Sequence, residues 1–192
     1  SHTAQITIEV VRPNLARLPD ALPFTTENPQ TGASGVVALS ELTDGDLTTS
    51  VNAGFDSDAP REVSVGVLWN ASQVVRQVVF RQGSVAELGH GFFAQDFRLQ
   101  ISPDGAAWQD AANYTTSPVP YAADPRVSMQ DYIFTFASPV TCRGVRVTGR
   151  VGKLNQAHSA YPRVRELEAY SEPVASHGPE IEYHPRSETV TE

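Results

Sequence analysis

Residues 96–102 read DFRLQIS, a run in which the apolar side chains of Phe97, Leu99 and Ile101 alternate with polar ones. This period of two is typical of a β-strand with one buried face, because successive side chains of a strand point to opposite faces of the sheet. The run is followed by a Pro-Asp-Gly sequence, which favours a turn. The stretch therefore predicts a strand that ends in a turn.

Six further runs have a strand-like composition and are separated by clusters of Gly, Pro, Asn and Asp. No segment shows a convincing amphipathic helix, and four prolines interrupt residues 13–29, which we expect to be loop. Seven short strands without a helix predict a sandwich or jelly roll. The six runs are residues 4–11 (AQITIEVV), 62–68 (EVSVGVL), 74–80 (VVRQVVF), 132–136 (YIFTF), 144–148 (GVRVT) and 164–170 (VRELEAY).

Length and composition indicate one folded domain followed by a tail. The chain has 192 residues, of which 40% are hydrophobic and 19% are charged, close to ordinary globular usage. We expect the domain to span residues 1–170. Residues 171–192 contain three prolines, five Glu and one Arg, which predicts an acidic, proline-containing tail or linker. This tail could lead to a neighbouring module or lie along the sheet as an extended segment.

Charge and residue spacing argue against several classes of function. Fourteen basic residues against 22 acidic ones give a net charge of −8, and Lys153 is the only lysine, so nucleic acid is not an expected partner. No run of about 18 apolar residues predicts a membrane span. Cys142 is the only cysteine, which excludes an internal disulfide. Neither HExxH nor GxSxG occurs, and we expect no enzymatic activity.

Residues 41–49, ELTDGDLTT, place two carboxylates and a hydroxyl around a glycine turn. A hard cation such as Ca²⁺ relieves the repulsion of crowded carboxylates by binding several oxygen ligands, and Asp44, Asp46 and Thr49 are candidates. The spacing differs from that of an EF-hand loop. An Asp-Gly turn whose side chains cap their own backbone explains the same residues without a metal. The residues alone leave both interpretations open.

The order of five blocks along the chain resembles that of a known family. The DGDxxT loop is followed by VVRQVVF, DFRLQISPDGAAW, GVRVTGR and RVRELEAY. This series is similar to the F5/8 type C, or discoidin, domain, and most similar to the bacterial carbohydrate-binding modules of family 32. The resemblance covers residues 14–170. It implies an all-β fold, an antiparallel β-sandwich of galactose-binding-like jelly-roll type, with a structural calcium ion and ligand-binding loops.

The resemblance implies calcium ligands from a loop near the start of the domain and from its last strand. An ion between these segments would stabilise the folded state, because the unfolded chain has no assembled site. The chain departs from the family pattern at residues 50–52 (SVN), where the family usually has an aromatic residue. The implied ligands are the side chains of Asp44, Asp46 and Glu166, the hydroxyl and carbonyl of Thr49, and the carbonyls of Glu41 and Arg165.

The resemblance also implies a sugar site on the loops. A sugar has apolar C–H faces and a rim of hydroxyl groups, so its site needs an aromatic ring and planar polar groups. Arg81 resembles the family's galactose-binding arginine, and Tyr161 resembles its aromatic platform before the C-terminal strand. The expected ligand contacts are Arg81, Tyr161, His90, Phe92, Phe93 and His158, with Phe24, Glu27 and Asn28 as further candidates in the long proline-containing loop.

The two tryptophans are assigned by the same resemblance. Trp108 ends SPDGAAW, which is similar to the family's SxDGxxW turn, in which the tryptophan packs on the sheet. Trp69 stands where the family has a glycine. Both packing against the sheet and stacking on a sugar remain open for Trp69.

The expected function is that of a non-catalytic carbohydrate-binding module. It would tether a larger glycan-active bacterial protein, secreted or on the cell surface, to a glycan of galactose or a related type. One alternative is a discoidin-like adhesion or protein-interaction domain, which needs protruding apolar loop tips such as Phe92-Phe93. The other alternative is a structural accessory domain that packs on its own enzyme.

Overall fold

The computed structural model describes residues 12–27, 39–54, 59–86, 90–120, 127–153 and 160–174. Their regular structure consists of strands and two short 3₁₀ helices, Leu15–Arg17 and Leu39–Leu42. Neither helix has the length and apolar character needed to cross a membrane. The strands are β1 (Ala21–Thr25), β2 (Val51–Asn52), β3 (Arg61–Gln82), β4 (Gln95–Ser102), β5 (Gln109–Asp110), β6 (Tyr114–Ser117), β7 (Asp131–Val151) and β8 (Arg163–Tyr170).

Strands β3 and β7 pair with each other in both layers of an antiparallel sandwich. They contain 22 and 21 residues, and their pairing is interrupted by a register shift between Leu68 and Gln73. In the first layer, the order is β1-β3-β7-β4-β5. In the second layer, the order is β2-β8-β3-β7-β6. The expected all-β antiparallel sandwich is confirmed.

Four of the predicted strands prove to be the halves of these two long strands. Residues 62–68 and 74–80 both lie in β3, because residues 69–73 continue in extended conformation where a turn was expected. Residues 132–136 and 144–148 both lie in β7. The predictions for β4 and β8 are confirmed. The strand expected over residues 4–11 lies outside the described residues, as does most of the expected tail.

Strand β1 lies in the segment that was expected to be loop. Its Pro23 pairs opposite Val67 of β3, and β1 has no partner among the described strands on its other side. Proline is tolerated in an edge strand because the missing N–H is not needed by a second neighbour. The loop prediction for this segment is therefore wrong for β1, because a high proline content is compatible with a short edge strand.

The interior is formed by inward-facing valines and a cluster of aromatic rings. Val65 and Val147, opposite one another on β3 and β7, are fully buried. The ring centre of Phe80 lies 5.9 Å from that of Phe93 and 5.4 Å from that of Phe97. These contacts join the two layers, since Phe97 belongs to β4 of the first layer and Phe80 to the second-layer half of β3.

The N-terminal 3₁₀ helix packs on the same interior. Leu15 and Ala16 are buried, and the indole N–H of the fully buried Trp69 donates to the carbonyl of Leu15 at 2.8 Å. The side-chain oxygen of Asn14 accepts from the amides of Ala16 and of Ala169 on β8, both at 3.0 Å. The packing interpretation of Trp69 is confirmed, and its ring is not available to a ligand.

Trp108 packs on the outer face of the first layer. Its ring centre lies 5.5 Å from that of Phe24, and the guanidinium of Arg146 lies 4.5 Å from the indole centre. Asp104 forms the preceding turn by accepting from the amides of Ala106 and Ala107, and these bonds hold its pKa below the usual value. The turn and the packing of Trp108 on the sheet agree with the sequence interpretation.

We predict that Trp69→Phe lowers the free energy of unfolding by about 2 kcal/mol, because the carbonyl of Leu15 would lose its buried donor. Trp108→Phe is the matched control, since Trp108 is half-buried and makes no hydrogen bond to this helix. Urea denaturation measures both. An equal effect of the two substitutions would show that the indole hydrogen bond does not fix the N-terminal helix.

Candidate functional site

The Glu166 carboxylate, an expected metal ligand, is fully buried on β8. Arg17 donates from Nη2 to Oε1 at 3.1 Å, and the amide of Gly45 lies 3.1 Å from both carboxylate oxygens. Burial raises the pKa of Glu166 to about 7, while the hydrogen bond from Gly45 and the bond and charge of Arg17 act to lower it. Both oxygens therefore have protein donors.

The other two expected carboxylate ligands, Asp44 and Asp46, are exposed and bond within their own turn. Asp44 accepts from the amide of Asp46 at 2.8 Å. Asp46 accepts from the hydroxyl and the amide of Thr48 at 2.6 and 2.8 Å, which hold its pKa below the usual value. The hydroxyl of Thr49 donates to the carbonyl of Asp46 at 3.0 Å. This is the self-capping turn that the sequence left open.

The three carboxylates expected to bind the metal do not share one shell. Glu166 faces Arg17, and Glu41 lies half-buried in the second 3₁₀ helix. Only the carbonyl of Arg165 was expected to bind the metal, and its side chain donates to the carbonyl of Gln82 and to Asp131. Within the described part of the chain, no three Asp, Glu, His or Cys side chains are placed to hold a metal ion. With the Arg17 guanidinium against it, the Glu166 carboxylate as it lies is not placed to bind calcium. Calcium binding by the domain stays a prediction.

Arg81, expected to contact a sugar, lies in an ion-pair network on the outer face of the second layer. Its Nε and Nη2 donate to Glu168 at 3.0 and 3.1 Å, and its Nη1 pairs with Asp131. Asp131 also accepts from Arg165 at 2.8 Å. Burial acts to lower the pKa of Arg81, but the two carboxylates raise it above the usual value. The guanidinium is thus bonded to the protein, and the structure does not bring it together with Tyr161.

Phe92 and Phe93 were also expected to contact a ligand, but both side chains are buried. They are 2% and 1% exposed. The chain enters the sandwich here because Gly91 bridges to Pro162, and Phe93 then packs 5.5 Å from Phe97. Their assignment as ligand contacts is corrected, since burial in the interior leaves no ring face for a sugar. His158 and Asn28 lie outside the described residues.

Tyr161 and His90 are brought together at one end of the sandwich. Their ring centres are 4.5 Å apart with an angle of 30° between the planes. The hydroxyl of Tyr161 lies 3.2 Å from Nδ1 of His90, and the amide of Gly91 donates to the carbonyl of Tyr161 at 2.8 Å. Both side chains are half-buried. The pair forms an aromatic surface that main-chain hydrogen bonds hold in place.

A charged pair, Glu27 and Arg61, lies beside Tyr161. Nη2 of Arg61 donates to Oε2 of Glu27 at 2.9 Å, and Nε pairs with Oε1. Gly54 separates the pair from Tyr161: a Cβ on Gly54 would lie 3.1 Å from Cβ of Tyr161 and 3.3 Å from Oε2 of Glu27. Its φ of +137° also favours glycine. We call Tyr161, His90, Gly54, Glu27 and Arg61 the rim cluster.

Further polar side chains support this end of the sandwich. Arg163, two residues after Tyr161, donates to Asn52 of β2 at 3.0 Å and to the hydroxyl of Ser84 at 2.6 Å. Sequence reasoning missed Arg61, Gly54, Asn52 and Arg163. Their positions carry no motif, and they meet only because β2, β3 and β8 end close together.

We predict that Glu27→Gln lowers the free energy of unfolding by about 2 kcal/mol, because Arg61 would lose a charged partner in a largely buried pair. The matched control is Glu172→Gln, which breaks an exposed pair with Arg12 and should change stability by less than about 0.5 kcal/mol. Thermal unfolding compares the two. If both variants unfold like the unaltered protein, the Glu27–Arg61 pair does not stabilise the rim cluster.

Comparison with known proteins finds similarity in structure alone. No family profile and no curated protein matches the sequence. A family 32 module from Clostridium perfringens NanJ, solved in complex with galactose, is 15% identical with a TM-score of 0.54, over 79% of this chain and 93% of that chain. The module CpGH89CBM32-5 from the same organism, in complex with GalNAc-β-1,3-galactose, is 16% identical with a TM-score of 0.54, over 79% and 95%.

A third similar structure is the chitosan-binding module 1 of a chitosanase/glucanase from Paenibacillus sp. IK-5. It is 20% identical with a TM-score of 0.52, over 82% of this chain and 98% of that chain. Identities this low establish the fold and nothing more specific. The chain has the antiparallel β-sandwich fold of these family 32 carbohydrate-binding modules.

Proposed function

We propose that this domain is a carbohydrate-binding module and that the rim cluster is its sugar site. The observation that carries the proposal is the Tyr161–His90 pair, held beside Glu27 and Arg61 at one end of this fold. An aromatic ring offers an apolar face to the C–H groups of a pyranose. The imidazole, carboxylate and guanidinium groups are planar and suit hydrogen bonds to sugar hydroxyls.

The ligands of the similar modules support a galactose-type sugar as the first ligand to test. One of these modules was solved with galactose and another with GalNAc-β-1,3-galactose. The third is a chitosan-binding module, so amino sugars form a second class to include. The rim cluster contains both an acidic and a basic group, which suits a ligand with several hydroxyls better than one with a single strong charge.

We propose that the domain binds without catalysis and keeps a larger glycan-active protein close to its glycan. In support, the two buried carboxylates of β8, Glu166 and Glu168, are bonded to Arg17 and Arg81. A single shallow site of this kind binds weakly, with a Kd of about 0.1–1 mM. Useful retention then depends on multivalency or on a linked catalytic domain. Such a role places the protein outside the cell or on its surface, where glycans are exposed.

The adhesion alternative loses the residues on which it depended. It needed Phe92 and Phe93 as protruding loop tips, and both side chains are buried.

We predict that Tyr161→Ala weakens sugar binding at least about tenfold, which is about 1.4 kcal/mol, because the aromatic surface is lost. Tyr161→Phe should retain most of the affinity, since it keeps the ring and loses only the contact to His90. Trp108→Ala is the control at an aromatic residue on the outer face of the first layer. A glycan array with galactose-type and amino sugars identifies the ligand, and calorimetric titration measures each variant.

Two outcomes would contradict the proposal at different levels. Full affinity of a folded Tyr161→Ala variant would remove the rim cluster as the sugar site. A blank array from unaltered protein with a normal melting transition would remove carbohydrate binding itself and favour a structural accessory role.

A further inference from the structure

The buried carboxylate of Glu166 requires a positive partner, and the chain supplies one. The side chain is fully buried, and an unpaired carboxylate in such a position would be strongly destabilising. Arg17 reaches it from the N-terminal 3₁₀ helix, with Nη2 at 3.1 Å from Oε1. The Arg17 side chain remains 43% exposed, so the guanidinium covers the carboxylate from the solvent side.

The N-terminal 3₁₀ helix is held in place by contacts that do not involve the Arg17 guanidinium. Asn14 bonds to the amide of Ala169, and the carbonyl of Leu15 accepts from the indole of Trp69. Arg17 follows Asn14 by three positions, and Glu166 precedes Ala169 by three. The helix therefore lies along β8 and places the Arg17 guanidinium next to the Glu166 carboxylate.

Gly45 completes the arrangement from the turn that contains Asp44 and Asp46. Its amide donates to Glu166, and a Cβ on Gly45 would lie 2.3–2.5 Å from three atoms of the Arg17 guanidinium. The guanidinium thus lies directly against the main chain of the turn. The φ of +87° at Gly45 is a second reason why a side chain is not accommodated. One protein cation therefore contacts the same turn and the same strand that calcium was expected to join.

We propose that Arg17 is a built-in cation that links the turn of residues 43–49 to β8 through Glu166, so that the folded domain does not depend on a metal ion at this position. The guanidinium suits this role because it stays charged and presents several donors in a plane. Asp44 and Asp46 are then free to cap the turn, as their hydrogen bonds show. This inference is independent of the proposed sugar site.

The first experiment measures the melting temperature of the unaltered full chain at pH 8 in excess EDTA and in excess CaCl₂. We expect the same melting temperature in both, because the charge of Glu166 is compensated by Arg17. A fall in EDTA that CaCl₂ reverses would overturn the proposal and favour the calcium site. This comparison needs no variant, so it decides the question even if a substitution prevents folding.

The second experiment replaces Arg17 and compares the loss with a matched arginine. Arg17→Met keeps the aliphatic stem and should lower the melting temperature by about 5 °C or more. Arg12→Met is the control, because Arg12 pairs with the exposed Glu172 and should change little. In a Glu166→Gln background, Arg17→Met should have a smaller effect, since the charge to be compensated is gone. An unchanged melting temperature for Arg17→Met, or an equal effect in both backgrounds, would refute the link.

Discussion

Strands β3 and β7 pair with each other through both layers, and the rest of the described structure is attached to this pair. The register shift after Leu68 lets the two strands turn together from one layer into the other. The first layer adds β1, β4 and β5 to the pair, and the second adds β2, β6 and β8. The ends of this pair therefore fix where the rim cluster and the Glu166 carboxylate lie.

The interior strands could be predicted from sequence because burial imposes a period of two on their side chains. The alternation in residues 96–102 predicted β4, and the strand-like composition of residues 164–170 predicted β8, each nearly to the residue. The bend of β3 could not be predicted, because residues 70–72 (NAS) have the composition of a turn while the structure continues the strand through them. Local composition reports turn preference, whereas the bend is imposed by pairing with β7.

The candidate site was predicted only in part, since it depends on contacts between distant segments. Tyr161 and His90 were chosen as separate loop residues, and their stacking follows from the bridge between Gly91 and Pro162. Arg81 was assigned to the sugar because it resembles the family's galactose-binding arginine, but cross-strand register places it opposite Asp131. No local sequence pattern distinguishes an arginine that binds a ligand from one that forms an ion pair with a neighbouring strand.

Arginine serves the same structural purpose at three places in this acidic chain. Arg17, Arg61 and Arg81 each pair with a glutamate whose side chain is largely or fully buried. Arg81 contacts both oxygens of Glu168 through Nε and Nη2, a geometry that lysine cannot reproduce. With a net charge of −8 and a single lysine, the chain uses these arginines chiefly to satisfy its own carboxylates.

The position of β8 determines how the domain would carry a mechanical load. Tyr161 lies just before the strand, and Pro173, whose carbonyl accepts from Arg12, lies just after it. Eight residues of strand span about 26 Å, so Tyr161 and Pro173 lie at opposite ends of β8. A pull applied between Tyr161 and Pro173 would run along the covalent backbone of one strand. The hydrogen bonds between β8 and β3 would then not carry this load. They would carry it if the force pulled β8 away from β3 one hydrogen bond at a time.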